Sequence, residues 1–597
     1  MTQCEGVERD PAANSGERVD INRRGRIITV LLLMGMGFAL VSLRLVYLQV
    51  YQRAEFTARA ERQQERVVKL DPKRGTIYDR MGRELAVSLD VDSVYGVPSG
   101  IDNPRAVAQQ LSGILREDRR GLEQRLAGNK QFVWLSRKVE PGRAEKIREL
   151  GNKEIGLRIE AKRFYPKKAL AGPVLGFLGV DNKGLEGLEL TYDKTLRGVS
   201  GWVVAEKDAR GRTVFPGGSG FQYQLPKPGH DILLTIDEVI QHIADKELDA
   251  ALATSRAKGG VCLVMNPQTG EVLALSVRSA PHVKQAFNPN EPQRSKPAEW
   301  RNRAVTDAFE PGSIFKPFLA AAALEERVVH PLEPVDCSAG KIQLADRVIR
   351  DAHEKGVLTF TDVIAESSNV GTITVALRLG KERFARYISA FGFGKKTGVD
   401  IPGEISGQLK DYRLWSGVSI GSIAIGQEIG VTPIQMASAY CALANGGMLM
   451  KPYLVSEIID HGGGEGKKFQ AQAVGRAITA ETCAKVNKML QRVVETGTGQ
   501  QARPAGYTAA GKTGTAQKID QRTGRYSQND YVSSFVGFTP ANSPKLVILV
   551  MVDSPEGAVH YGGSVAGPVF KAVAEQSLAY LQVAPDEVGG RMLLVGR

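Results

Sequence analysis

Residues Arg303–Val328 read RAVTDAFEPGSIFKPFLAAAALEERV. At the centre is an S-x-x-K, Ser313 to Lys316, set between a Pro311–Gly312 break and an apolar, Ala-rich run. Side chains three apart share one face of a helix, so a lysine amine can reach a serine hydroxyl one turn back. A helix start also offers unpaired N–H groups and positive potential to an oxyanion. Pro317 is tolerated there because first-turn N–H groups lack intrahelical partners. Two other S-x-x-K matches lack this setting. Ser255–Lys258 ends a helix before Gly259–Gly260, and Ser338–Lys341 lies in a loop with Gly340 between the pair. Both read as solvated surface residues. A serine hydroxyl is a weak nucleophile until a base takes its proton. No histidine is evident for that task, so Lys316 is the candidate base for Ser313, provided that burial and a second cation, for which Lys512 is the candidate, lower its pKa.

S-x-x-K gains meaning when S-x-N and K-T-G follow it. S-x-N occurs at Ser367–Asn369, a turn between the apolar stretches VIAE and VGTITVALRL, and at Ser527–Asn529 in the charged loop RTGRYSQND. K-T-G occurs at Lys512–Gly514 within TAAGKTGTAQK and at Lys396–Gly398 within FGKKTGVDIPGE, where Asp400, Pro402 and Gly403 spell a plain turn. The small residues beside Lys512 let a substrate backbone approach, and Tyr531–Phe538 is predicted to pair as the next strand. Chosen by context, the three motifs are Ser313/Lys316, Ser367/Asn369 and Lys512-Thr513-Gly514. They run in order, with 54 residues from Ser313 to Ser367 and 143 from Asn369 to Lys512. The rival G-x-S-x-G at Gly417–Gly421 places Ser419 after GQLKDYRLWS, a polar stretch that does not read as the buried strand of a nucleophile elbow. His461 and His560 are the bases that reading would need.

The rest of the chain sets limits. Hydrophobic residues make up 42% and charged residues 24%, which excludes wholesale disorder. The net charge of +13 suits an anionic surface or substrate, or simply a solvated basic surface. Five cysteines without C-x-x-C spacing and seven histidines without H-E-x-x-H give no metal site. Neither a metal nor a cofactor is expected, and nucleic acid is not an expected partner. Ile27–Leu43 reads IITVLLLMGMGFALVSL with no charge, and the run continues past Arg44 to Val50. That length nearly crosses a hydrocarbon core, is long for a signal-peptide core, and is followed by no clear cleavage site. Arg18, Arg23, Arg24 and Arg26 before it favour a cytoplasmic N-terminus, but Arg53, Arg59 and Arg62 after it weaken that asymmetry. Residues 1–26 read as a tail, 27–50 as a single transmembrane anchor, 51–225 as a mixed α+β unit and 584–597 as a C-terminal tail. PKPGHD, Pro226–Asp231, reads as a linker. In 231–583, strands at both ends enclose many helices, which predicts one α/β domain whose sheet joins both ends.

Beyond the three motifs, the flanks RAVTDAFEPGSIFKPF, AESSNVGT, IAIGQEIGVTPIQMASAYCALANGG and AAGKTGTAQ resemble the class B penicillin-binding proteins, the membrane-anchored D,D-transpeptidases of bacterial cell walls. RGTIYDRMGRELA, RFYP and GLEGLELTYDKTLRGVSG resemble that family's non-catalytic pedestal, and FVWLSRKVEP with RFYP is most similar to the septal, FtsI-type members. The resemblance implies an α/β transpeptidase domain, an antiparallel sheet with helices on both faces, beside an α+β pedestal of the dimerisation type. It implies that Ser313 attacks the penultimate D-Ala carbonyl of a stem peptide, that Ser367 relays a proton to the leaving amine, and that Asn369 orients Lys316 and the substrate amide. The N–H groups of Ser313 and Thr515 form the oxyanion hole on this reading, and Lys512, Thr513, Gly514 and Thr515 hold the donor carboxylate. The implied ligands are peptidoglycan stem peptides and β-lactams. The implied partners are an FtsW-type glycan polymerase and other divisome proteins. The implied place is the cytoplasmic membrane, with the catalytic domain outside. An elongation-type transpeptidase, a D,D-carboxypeptidase and a β-lactam-hydrolysing or sensing relative are the alternatives. No E-x-x-L-N lies between Asn369 and Lys512, which disfavours a dedicated penicillinase. Arg74, Asp79, Arg163 and Glu186 in the pedestal read either as fold-internal ion pairs or as a docking surface for the polymerase.

Overall fold

A computed structural model of the chain describes residues 14–207, 213–214, 222–279, 286–461, 464, 466–520, 522–557 and 559–587. Contacts divide the chain into two units, residues 1–70 with 200–225 and residues 71–199 with 226–597.

In the first unit a helix spans Asn14–Val46 and passes into a π turn at Tyr47–Tyr51. From Arg24 to Tyr51 it is long and apolar enough to cross a membrane. Leu31, Met34, Phe38 and Leu43 are all exposed, whereas a core helix of a soluble domain hides such side chains. The charged stretch after it forms the helix Arg53–Gln64 and then turns to strand at Glu65–Leu70, which pairs antiparallel with Gly201–Lys207.

The second unit contains two large sheets. In the seven-stranded sheet, Ile77–Tyr78 pairs antiparallel with Glu84–Gly96 on one side and parallel with Asp231–Leu234 on the other. Asp231–Leu234 pairs in turn with Val455–Ile459, so one sheet draws strands from before residue 165 and after residue 230. PKPGHD is therefore no free linker. Val199 and Lys227 form a bridge, and the N–H of Gly229 donates to Lys73 O at 2.9 Å. A Cβ at Gly229 would lie 1.7 Å from Leu196 O, so the glycine serves close backbone approach rather than flexibility.

The pedestal charges are settled by burial. Arg74, Asp79 and Arg163 are buried. The Nε atoms of Arg74 and Arg163 each donate to Glu189 at 2.6 Å, and Asp79 accepts from the N–H groups of Met81 and Arg83. Glu186 is half-buried, and desolvation raises its pKa. The docking alternative for Arg74, Asp79 and Arg163 falls, because buried side chains present nothing to a partner.

The second sheet has five strands, all antiparallel: β1 (Gly259–Met265), β2 (Val272–Ser279), β3 (Ala510–Ile519), β4 (Tyr526–Thr539) and β5 (Leu546–Asp553), in the spatial order β2-β1-β5-β4-β3. Side chains of a strand alternate between faces. In β5, Ile548, Val550 and Val552 join one core cluster, while Val547, Leu549 and Met551 join the other. The first cluster packs under α1 (Glu238–Ser255) and the C-terminal helix Gly567–Tyr580. The second packs under α2 (Lys316–Glu325), α3 (Asn369–Leu379), α4 (Pro433–Ala444) and α5 (Ala480–Glu495). Helices thus cover both faces, which is why β5 is apolar at every position from Leu546 to Val552. Each such fully buried Val or Leu contributes about 1.5–3 kcal/mol. Asp237 caps α1, its carboxylate accepting from the N–H groups of Val239 and Ile240.

Candidate active site

Ser313 lies in a 3₁₀ turn, Gly312–Phe315, and Lys316 opens α2 directly after it. In a 3₁₀ turn residues three apart eclipse, which sets Ser313 and Lys316 on one side. Gly312 has φ 57°, and its N–H donates to Gly426 O at 3.0 Å. The hydroxyl of Tyr440, on α4, donates to Ile314 O at 2.9 Å and ties the turn to the core.

The Lys316 side chain is fully buried. Its Nζ donates to Ser367 O at 2.6 Å, Ser367 Oγ at 3.1 Å and Asn369 Oδ1 at 2.8 Å. S-x-x-K and S-x-N thus meet through one amine. The Ser313 hydroxyl is half-buried and makes no hydrogen bond to a described residue. Ser367 is held at φ 61°, a left-handed conformation that a non-glycine residue adopts only at a cost of about 1–3 kcal/mol and that clusters at functional sites.

Asp351 holds this turn in place, although no motif marks it. Its carboxylate accepts from Ser368 Oγ at 2.6 Å, from the N–H of Val370 at 3.1 Å and from the N–H of Asn369. Asn369 Nδ2 donates to Arg350 O at 2.9 Å, so both ends of the Asn369 amide are fixed. Asp351 follows a short hairpin strand, Arg347–Arg350, whose sequence RVIR carries no motif.

Lys512, Thr513, Gly514 and Thr515 lie on β3, the edge strand, with Lys512 opposite Val536 of β4. A Cβ at Gly514 would lie 3.0 Å from Ile314 and 3.1 Å from Pro311 O, so the glycine lets β3 close on the serine turn. Lys512 is fully buried, and its Nζ donates to Thr513 O at 3.1 Å. Thr513 Oγ1 shares a 2.7 Å hydrogen bond with Thr498 Oγ1, and Thr515 Oγ1 accepts from the N–H of Gly562 at 3.0 Å.

Burial lowers the Lys316 pKa to about 7; Asp351 opposes that shift and Lys355 adds to it. Burial also lowers Lys512 well below the ordinary lysine value, and the like charge of Lys316 reinforces this. Lys512, expected as the cation that lowers Lys316, is itself pushed toward the neutral form by burial. Lys316 has three acceptors and a nearby carboxylate to support a proton, and Lys512 has fewer.

This arrangement has a stability cost with a definite sign. The folded pKa of Lys316 lies below the unfolded value, so between about pH 7 and 10.5 the unfolded chain binds more protons and stability rises with pH. Below about pH 7 the full penalty of about 5 kcal/mol applies. Lys316→Met is expected to gain stability relative to wild type most at pH 6, with the gain shrinking toward pH 10. Paired thermal melts across that range check this, and a pH-independent difference would contradict it.

The other matches are accounted for. Ser255 Oγ back-bonds to Ala251 O, and Lys258 pairs with Asp530. Ser338 donates both its N–H and its hydroxyl to the Asp336 carboxylate in an exposed turn. In the second K-T-G, Thr397 and Gly398 bind the Glu404 carboxylate. Ser419 opens a short helix, Ser419–Ala424, with a 3₁₀ turn rather than a strand before it, and donates to Glu428 at 2.8 Å. His461 pairs with Asp231, and His560 stacks against Tyr531 and Tyr561, so neither serves Ser419.

Comparison with known proteins agrees with this geometry. Residues 260–575 match the penicillin-binding protein transpeptidase domain, and residues 69–234 match the penicillin-binding protein dimerisation domain. The chain is 35% identical over 573 residues to Stage V sporulation protein D of Bacillus subtilis, covering 95% of this chain and 87% of the relative. It is 30% identical over 573 residues to the peptidoglycan D,D-transpeptidase FtsI of Escherichia coli, covering 95% and 93%. Among solved structures, penicillin-binding protein 3 of Mycobacterium tuberculosis complexed with aztreonam is similar with a TM-score of 0.67 and 27% identity, over 87% of this chain and 98% of that one. Fold and site together define a penicillin-binding transpeptidase, an acyltransferase. The chain belongs to the class B penicillin-binding proteins, and within them to the FtsI type.

Proposed function

We propose that this protein cross-links peptidoglycan stem peptides during septal wall synthesis through an acyl-enzyme on Ser313, and that β-lactams inactivate it at the same serine. The observation that carries this reading is the Lys316 amine, buried and hydrogen-bonded to both Ser367 and Asn369.

Neutral Lys316 takes the Ser313 proton as Oγ attacks the penultimate D-Ala carbonyl. The N–H groups of Ser313 and Thr515 receive the oxyanion. The proton passes through Ser367 to the leaving nitrogen, and D-Ala departs. An amine on a neighbouring stem then attacks the ester, the amide forms, and Ser313 recovers its proton. The cycle moves only protons and an acyl group, so its balance needs no metal or cofactor. Lys512 adds a switch. A donor carboxylate arriving at Lys512, Thr513 and Thr515 restores the ammonium on Lys512. That charge drives neighbouring Lys316 toward the neutral form a base requires, because two like charges in one buried site titrate as a pair.

Peptide mapping by mass spectrometry after incubation with penicillin tests the nucleophile. The adduct is expected on Ser313 alone, and an adduct on Ser255, Ser338 or Ser419 overturns the assignment. A long acyl-enzyme lifetime in water separates the transferase from a hydrolase.

The apolar helix from Arg24 to Tyr51 anchors the chain once in the cytoplasmic membrane, with residues after about 51 outside. A C-terminal fusion to a reporter that works only after export is expected to be active, and activity of a cytoplasm-only reporter there contradicts the orientation. The FtsW-type polymerase docks on the pedestal through its exposed residues, not through buried Arg74, Asp79 and Arg163.

A further inference from the structure

The second K-T-G lines a cavity separate from the serine site. The cavity measures about 280 Å³. Phe391, Leu449 and Met450 supply an apolar wall, and Lys395, Lys396 and Arg476 stand at its edge. Lys395, Lys396 and Arg476 are exposed, and none of the three makes an ion pair among the described residues. A fourth cation, Lys451, packs over Gly398, its Nζ 3.7 Å from where a Cβ would stand. The nearby carboxylate, Glu404, is turned into the K-T-G backbone and held there by Thr397 N at 2.6 Å, Thr397 Oγ1 at 2.6 Å and Gly398 N at 3.0 Å.

One polar group of the wall is unsatisfied. Ser438, on α4, is 3% exposed, and its hydroxyl has no hydrogen-bond partner among the described residues. A helical serine ordinarily bonds the carbonyl one turn back, and a buried hydroxyl left unpaired costs about 1–3 kcal/mol. Gln435, one turn earlier and also lining the cavity, is fully used. Its Nε2 donates to Lys395 O at 2.7 Å and Ser406 O at 2.9 Å, and its Oε1 accepts from Thr432 N. An apolar chamber edged by three cations that make no ion pair among the described residues, with Arg476 steadied by a 2.7 Å hydrogen bond from Nη1 to Gly446 O, matches one ligand chemistry, an anion attached to a small apolar body.

We infer that this cavity binds a small amphiphilic anion, a phosphate or carboxylate on an apolar group, with the anion at Lys395, Lys396 and Arg476 and the body against Phe391 and Leu449.

The test uses full-length protein in detergent and 1-naphthyl phosphate as a fluorescent probe. Saturable binding is expected, with 1-naphthol binding at least about tenfold more weakly. The triple variant Lys395→Gln, Lys396→Gln, Arg476→Gln is expected to lose about tenfold or more in affinity. Gly475→Phe adds bulk at the cavity's edge, where a Cβ meets nothing within 4 Å, and is expected to weaken probe binding. Penicillin acylation of every variant at the wild-type rate shows that each is folded. Prior acylation with penicillin is expected to leave probe binding unchanged. Displacement of the probe by phosphatidylglycerol vesicles assigns the natural anion to a lipid headgroup, and resistance to them assigns it to a soluble molecule; either keeps the site. Absence of saturable binding, equal binding of naphthol, wild-type affinity in the charge variant, or loss of binding on acylation overturns the proposal.

Discussion

Lys316→Arg is expected to lower the second-order rate of acylation by fluorescent penicillin by at least about 10²–10⁴-fold, with more loss if Ser313 and Lys316 act as a unit. Arginine keeps the charge but stays protonated in proteins, so it cannot take the Ser313 proton. The native amine is fully buried and hydrogen-bonded to Ser367 and Asn369, and its pKa near 7 leaves a large neutral fraction at working pH. The wild-type rate should therefore rise with pH through about 7, where a solvated lysine base would place that limb near 10.5. The bulkier guanidinium overpacks the site by about 1–3 kcal/mol, a stability loss that a melting curve separates from the loss of chemistry. Lys512→Arg is the contrast. Its proposed task is charge, so acylation should fall less, although the planar head crowds the carboxylate seat. Acylation near the wild-type rate by Lys316→Arg would leave the mechanism without its base.

The chemistry of this chain is more legible in its sequence than the architecture that holds it. Ser313 and Lys316 are three residues apart, so one turn of backbone sets their relation, and local context separates them from Ser255 and Ser338. The continuous apolar strands β1 and β5 likewise announce a sheet covered on both faces. Asp351 is a different case. It reaches Ser368 and Asn369 from a short hairpin 17 and 18 residues earlier, and nothing local marks such a partner. PKPGHD misleads for a related reason. Proline and glycine mark both free linkers and tight backbone contacts, and only the fold reveals that Gly229 faces Leu196 O. Arg74, Asp79 and Arg163 pose the same ambiguity between surface and core, which composition does not resolve.

Glu189→Ala is expected to be the most destabilising single change in the pedestal, at about 3–5 kcal/mol, because it leaves two buried guanidinium groups without their shared carboxylate. Glu189 is fully buried between Arg74 and Arg163, each Nε at 2.6 Å, with the Tyr165 hydroxyl at 3.4 Å. Arg74 has further support from Asp193 at 2.7 Å and from Glu189 O at 2.8 Å. Among the described residues Arg163 has only Gly75 O and Ser88 Oγ besides Glu189, and its Nη2 has no partner there. Removing the carboxylate therefore strands Arg163 more than Arg74. Chemical denaturation of the two single variants Glu189→Ala and Arg163→Met separates the contributions. The arginine deletion leaves Glu189 still paired with Arg74, so its loss should be the smaller. The triple replacement Arg74→Met, Glu189→Leu, Arg163→Met removes every charge of the core triad. It should recover most of the stability, since a buried ion triad exchanged for apolar side chains of similar volume is often neutral or better. If the triple variant is as unstable as Glu189→Ala, then geometry specific to these hydrogen bonds, and not uncompensated charge, holds this part of the pedestal. Penicillin acylation of the triple variant should match wild type, because no residue of the triad touches the Ser313 site.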